Sequence, residues 1–205
     1  MKSVLWISLA TVVLLVVVAV CSFNRGPNLS LYEGRVNSGV TRMDAQWVLV
    51  TRQKGNPNIV AKHAFRILFK TYYRYADKRE RQKFAVPKAR WPVEAINAAN
   101  MNDWEGGYAL PVSERFPNPQ SGEVRLEKWE YGTVAEILHK GSYTDEPATV
   151  AKLVEFIRVN GYRIVGEHEE EYLKGPGMFF RGNPDGYMRI IRYRVEKADQ
   201  PLVSH

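Results

Sequence analysis

Apolar residues follow two periods along this chain, and the two periods occur in the same order twice. Gln46–Gln53, QWVLVTRQ, is rich in β-branched residues and reads as a strand. A Lys54-Gly55 turn follows, and then Ala61, Ala64, Phe65, Leu68 and Tyr72 recur at helical spacing. Thr133–His139, TVAEILH, again reads as a strand and is again followed by Lys-Gly, at Lys140-Gly141. Val150, Leu153, Val154 and Ile157 then form one helical stripe. The two Lys-Gly steps lie 86 residues apart.

Each repeat ends on alternation. Trp104–Val112 places Trp104, Tyr108, Leu110 and Val112 on one face, and Tyr187–Val195 alternates likewise. Between helix and closing strand lies one further extended segment per half, Lys83–Val93 in the first and Tyr162–Leu173 in the second. The pattern predicts an α+β domain over residues 43–197, built from duplicated β-α-β-β halves (about 43–115 and 123–197). Their strands form a curved, mostly antiparallel sheet or a distorted barrel with two helices, and Phe116–Gly122 is the connector. Half-sheets meeting along a pseudo-twofold axis enclose a cleft, which is a favoured place for a ligand.

The N-terminus has a different pattern. Val4–Phe23 carries no charge and, as a helix, spans roughly 30 Å, enough to cross a bilayer. Lys2 precedes it and Arg25 follows, so residues 1–23 are expected to be a single-pass transmembrane signal anchor with its N-terminus inside. Residues 24–42 collect turn formers and read as a linker, and 198–205 as a tail.

Composition narrows the chemistry. Cys21 is the only cysteine, so the domain has no disulfide, thiolate nucleophile or cysteine-ligated metal. Beyond Arg25 the net charge is +5, which does not suggest a nucleic-acid partner. More than that surplus lies in Lys70–Arg90, where eight cations face Asp77 and Glu80. Lys78, Arg79, Arg81, Lys83, Lys88 and Arg90 are its candidates for contact with anionic lipid or a ligand's carboxylates; a solvated basic loop guarding a strand edge is the alternative. Nucleophile-elbow, phosphate-loop, dinucleotide and zinc-protease motifs are absent.

Several stretches together resemble the SOUL/heme-binding-protein family and its relatives, the GyrI-like effector-binding domains. Ala64–Phe69 (AFRILF) followed by Lys83, Phe84, Ala85, Pro92 and Val93 is similar to the SOUL helix and strand. Ala109–Val112 and Phe116–Tyr143 resemble the family's connector and next strand, Gly161–Leu173 the GyrI-like form, and Phe179–Met188, with Arg181 and Asn183, the SOUL ending. Val86-Pro87 replaces the SOUL Met-Thr, and the family's heme-associated histidine has no clear counterpart.

The resemblance implies a membrane-anchored domain that binds heme, another tetrapyrrole or a different amphipathic aromatic molecule between its halves. The expected N-in anchor makes this a single-pass bacterial inner-membrane protein with a periplasmic domain. In Gly166–Leu173, GEHEEEYL, alternation puts His168, Glu170 and Tyr172 on one face and Glu167, Glu169, Glu171 and Leu173 on the other. The resemblance makes Glu170 the pocket glutamate and Tyr172 its aromatic companion, leaving the other three glutamates to solvent. Trp91, Trp104, Tyr108 and His168 join them as ligand contacts. His63 and His139 are the candidates for an axial heme ligand, and no metal-ligand spacing occurs. The alternatives are a hydrolase using Glu170 and Tyr172, or an interaction domain without a ligand.

Overall fold

The computed structural model describes residues 26–82, 85–92, 100–120, 122–175 and 183–198. The predicted anchor Val4–Phe23, Lys83 and most of the tail lie outside these residues. Among the described residues, no helix is long and apolar enough to cross a membrane.

The first repeat is β2 (Gln46–Lys54), α1 (Pro57–Tyr75), β3 (Lys88–Trp91) and β4 (Glu105–Pro111). The second is β6 (Gly132–Lys140), α2 (Glu146–Val159), β7 (Tyr162–Lys174) and β8 (Met188–Lys197). The Lys-Gly turns are equivalent in conformation: Gly55 and Gly141 both have φ of 130°, where a Cβ is strained. Each repeat is preceded by a strand absent from the sequence reading, β1 (Gly39–Met43) and β5 (Arg125–Trp129). The stretch read as a linker therefore contains β1 and a 3-10 turn over Leu29–Val36.

The sheet is antiparallel throughout, in the order β1-β6-β8-β7-β3-β4-β2-β5. Each extra strand pairs with the other half, β1 with β6 and β5 with β2. One register runs through both ladders, from Gly39 opposite Glu136 to Val50 opposite Arg125. Chain segments 39–50 and 125–136 thus behave as two long bent strands zipped together, and they close the sheet into the distorted barrel. On the far side the halves meet where β3 pairs with β7.

Helices cover the outer face. Under α1, Ala64, Leu68 and Tyr72 pack on Leu49, Ala89, Trp91, Tyr108 and Leu110. Under α2, Leu153 and Ile157 pack on Ala135, Ile137, Ile191, Tyr193 and Val195. Val154, predicted on that stripe, is instead exposed. Of the predicted basic loop, Lys78 and Arg79 are exposed, while Arg81 donates to the Tyr73 and Ala76 carbonyls and so caps the end of α1.

Alternate residues face the interior of the ring, and here the sequence reading needs correction. Lys88 is not a surface cation; it is 2% exposed and lies 3.6 Å from Glu169 and 3.3 Å from Glu171. Arg90 donates to Glu169 at 2.7 Å. Glu169, Glu171 and Leu173 are buried, and of the residues assigned to solvent only Glu167 is exposed. From β8, Arg192 reaches Glu136 at 2.8 Å, Glu169 at 2.5 Å and Glu171 at 3.1 Å. Tyr131 donates to Glu169, and Tyr32 and Arg35 of the 3-10 turn reach Glu171 and Glu136 from one end. A repeating row of glutamates looks solvated only if the opposite strands are ignored.

Burial alone would raise the Glu169 carboxyl, but Lys88, Arg192 and Arg90 overcome it and hold the group at about 2. Its stabilising contribution is complete above its unfolded value near 4.5 and is lost as pH falls toward 2. At about 1.4 kcal/mol per unit this loss is on the order of 3 kcal/mol. Glu169→Gln, which leaves Lys88 and Arg192 without a central anion, is expected to cost about 3–5 kcal/mol in denaturant unfolding. It should also flatten the fall in stability between pH 4.5 and 2. A variant with an unchanged midpoint at pH 7 would refute this account.

Candidate functional site

The outer face at the β3–β7 seam carries a second group of polar residues. Ala89 pairs with Glu170 and Trp91 with His168, so Glu170 sits where the halves meet, with His168 and Tyr172 on the same face. Glu170 is 8% exposed. His168 Nε2 lies 3.4 Å from Glu170 and 3.7 Å from Glu146, in the first turn of α2, while its Nδ1 meets the Tyr193 hydroxyl at 2.8 Å. Arg189 of β8 pairs with Glu146 and places its Nε 3.4 Å from Glu170. Two carboxylates and two cationic groups thus form a compact, charge-balanced cluster.

Aromatic rings from the first half stand beside it. Phe65 of α1 makes edge contacts with Tyr108 at 5.5 Å and Tyr172 at 5.7 Å. Trp91 packs against Tyr108, Trp104 and His168 at 6.0, 6.4 and 6.1 Å. Tyr143, ahead of α2, lies over the Arg189 guanidinium at 4.3 Å. Among the described residues, the Trp104 indole nitrogen is buried without a hydrogen-bond partner, and the Tyr108 hydroxyl and Trp91 indole nitrogen have at most each other. Buried donors without acceptors are costly in a settled core and are suited to meeting a guest.

Electrostatics separate the ionisable groups. Burial and the nearby Glu146 raise the Glu170 carboxyl, against the pull of His168 and Arg189. Burial would also raise Glu146, but its hydrogen bond with His168 and the charge of Arg189 lower it overall. Burial opposes charge on His168, yet hydrogen bonds to Glu146 and Glu170 lift it well above the ordinary histidine range. Tyr108 and Tyr143 are pushed to about 12, chiefly by burial, and Tyr172 is raised by burial and by Glu170, so all three remain hydroxyl donors at neutral pH.

The structure brings together Glu170, Tyr172, His168, Trp91, Trp104 and Tyr108 from the sequence-predicted set. His63 and His139 are not among them. His63 is exposed on α1, and both His139 ring nitrogens are engaged, by Thr149 Oγ1 at 2.8 Å and the Ser142 carbonyl at 3.0 Å. Glu146, Arg189, Tyr143 and Phe65 were missed. Arg189 had left a trace in the sequence, because it alternates in phase with Ile191 and Tyr193, the helix-facing residues of β8. Among the described residues, Glu146, His168 and Glu170 could hold a metal ion, their ligand atoms lying within 4.8 Å of one another.

No family profile and no curated protein matches the chain by sequence. Solved structures share its fold. An uncharacterized conserved protein from Listeria innocua matches with a TM-score of 0.66 at 17% identity, over 82% of this chain and 97% of that one. A hydrolase from Listeria innocua matches at 0.64 and 18%, over 82% and 95%. The C-terminal domain of EcmrR matches at 0.63 and 15%, over 79% and 98%. At these identities the likeness is one of fold, and it is the fold that the GyrI-like part of the resemblance implied.

With its pKa raised, His168 is expected to stay protonated through neutral pH, and its share of stability to be present at and below its unfolded value near 6.5 and lost as pH rises through the folded one. Ring-nitrogen NMR shifts of His168 should show no titration between about pH 5.5 and 7.5, the window around an unperturbed histidine. Glu170→Gln should lower its titration into or toward that window. A His168 that titrates near 6.5 in the unmodified protein would contradict the assignment.

Proposed function

We propose that this chain is a small-molecule-binding domain whose ligand is aromatic and carries a positive charge or a strong donor. The observation that carries the reading is the Glu170 carboxylate, buried at the seam of the two halves close to Tyr108, Tyr143 and Tyr172, with Phe65 and Trp91 packed on Tyr108 behind them. Rings supply area and quadrupole, and a buried carboxylate rewards a cation that reaches it. The C-terminal domain of EcmrR, a protein solved in a complex with DNA, shares the fold. In this reading Val4–Phe23 holds the domain at a bacterial inner membrane, with the domain in the periplasm.

Heme, the cofactor implied by the SOUL resemblance, fits the aromatic wall but not the histidines. His63 lies away from the cluster, while His139 and His168 have both ring nitrogens engaged. A tetrapyrrole would bind here by stacking alone, without an axial histidine.

Hydrolysis is the second reading, favoured by the raised Glu170 carboxyl beside the Tyr172 hydroxyl. Glu170 would take a proton from water as general base, and Tyr172 would donate to the oxyanion that develops. The hydrolase from Listeria innocua with this fold supports keeping it.

Fluorescence titration of the full chain in nanodiscs with ethidium, a planar aromatic cation, tests the binding reading. Saturable binding is expected, strengthening as pH rises through the Glu170 titration and weakened about tenfold or more, or about 1.4 kcal/mol, by Glu170→Gln. Glu155→Gln, on the exposed face of α2, should leave it unchanged. Equal effects of the two substitutions would refute the reading.

A further inference from the structure

On the opposite face of β7 from Glu170, the ring opens into a cavity of about 630 Å³. Arg90, Tyr131, Val134, Ile164, Val165 and Arg192 are among its walls, and Glu169 forms part of its floor. It lies where the pairing of β7 with β8 shifts register between Ile164 and His168, so the bulge that ends regular pairing also widens the ring.

Arg90 is prepared in an unusual way. Its Nε donates to Glu169 at 2.7 Å, and its guanidinium lies 3.9 Å from the Trp129 ring centre and 4.7 Å from that of Tyr131. The fork is therefore held by one hydrogen bond and two aromatic faces, while among the described residues no acceptor meets its two terminal nitrogens. A fixed guanidinium with open terminal N–H groups matches the two oxygens of a carboxylate.

Charge balance points the same way. Four cations, Arg35, Lys88, Arg90 and Arg192, share three carboxylates, those of Glu136, Glu169 and Glu171. One further negative charge would neutralise the network. A dianion would exceed that need and would face Glu169 across the floor and Glu167 at the wall. Arg194, exposed and also lining the cavity, adds a cation at the entrance, and Glu130 there is paired with Lys128 at 3.7 Å.

We propose that this cavity is a second ligand site, one that takes a small amphipathic monocarboxylate, with its oxygens in the fork of Arg90 and its apolar part against Val134 and Val165. The volume lies within the range of small-molecule pockets. The site is separate from the Glu170 cluster, because successive residues of β7 point to opposite faces of the sheet.

Benzoate is the probe and benzamide its neutral counterpart, titrated calorimetrically into the full chain in nanodiscs. Benzoate is expected to bind saturably, and benzamide at least about tenfold more weakly. Arg90→Lys, which keeps the charge and removes the fork, should weaken benzoate by about tenfold or more. Val165→Phe fills the cavity without touching the ion network and should abolish binding. Ethidium should not compete with benzoate, which keeps this result independent of the Glu170 site. Absence of saturable benzoate binding, equal affinity for benzamide, full affinity in Arg90→Lys, or competition by ethidium would each overturn the proposal.

Discussion

Lys88, Arg90 and Arg192 converge on Glu169 inside the curved sheet, where a charge without a partner would be costly to bury. Removing a single charge from water costs several kcal/mol, and that cost is met only when the partners arrive in a fixed geometry. β3, β7, β8 and the β5–β6 junction must therefore all be in place before any of these groups can be buried. The ion network makes the barrel an all-or-none object. It also explains why the outer face of the seam can hold Glu170, His168, Glu146 and Arg189: their backbone positions are fixed from the other side of the same strands.

The network also shows how the duplication has diverged. At the seam, Lys88 and Arg90 of β3 face Glu171 and Glu169 of β7 in register. The seam strand of the first half presents cations inward, and that of the second presents anions. Two copies of either half would put like charges opposite each other, which is destabilising across paired strands. The pseudo-symmetry survives in the fold and in the Lys-Gly turns, while the chemistry has become complementary. On the outer face the first half supplies Phe65, Trp91, Trp104 and Tyr108, while Tyr143, Tyr172 and the cluster's ionisable groups come from the second.

Much of this was legible in the sequence because it is local. The alternation of QWVLVTRQ and TVAEILH, the stripes of α1 and α2 and the two Lys-Gly turns are set by neighbours a few residues apart. The alternation of GEHEEEYL likewise put His168, Glu170 and Tyr172 on one face. What sequence could not supply was partnership between distant strands. Glu169 and Glu171 looked solvated because Lys88 is about eighty residues away and Arg192 about twenty, and neither pairing has a local signal. The five-residue strands β1 and β5 were missed for the same reason, since each is completed by the other half. Arg90 was read as a contact for anionic lipid or a ligand's carboxylates, and nothing local showed that it ends between two rings.

The exchange of leading strands bears on how this domain comes into being as well as on its shape. β2 offers one edge to β4 and the other to β5, which begins only at Arg125. While a ribosome is still making the second half, the first half has an open strand edge and, at Lys88 and Arg90, cations without their acidic partners. It is then an unfinished surface of the kind that pairs with strangers. Such long-range pairing folds slowly, so the interval of exposure is set by synthesis and, if the chain crosses a membrane, by export. The partners of the first half are complete only when β8, which ends at Lys197, has been made.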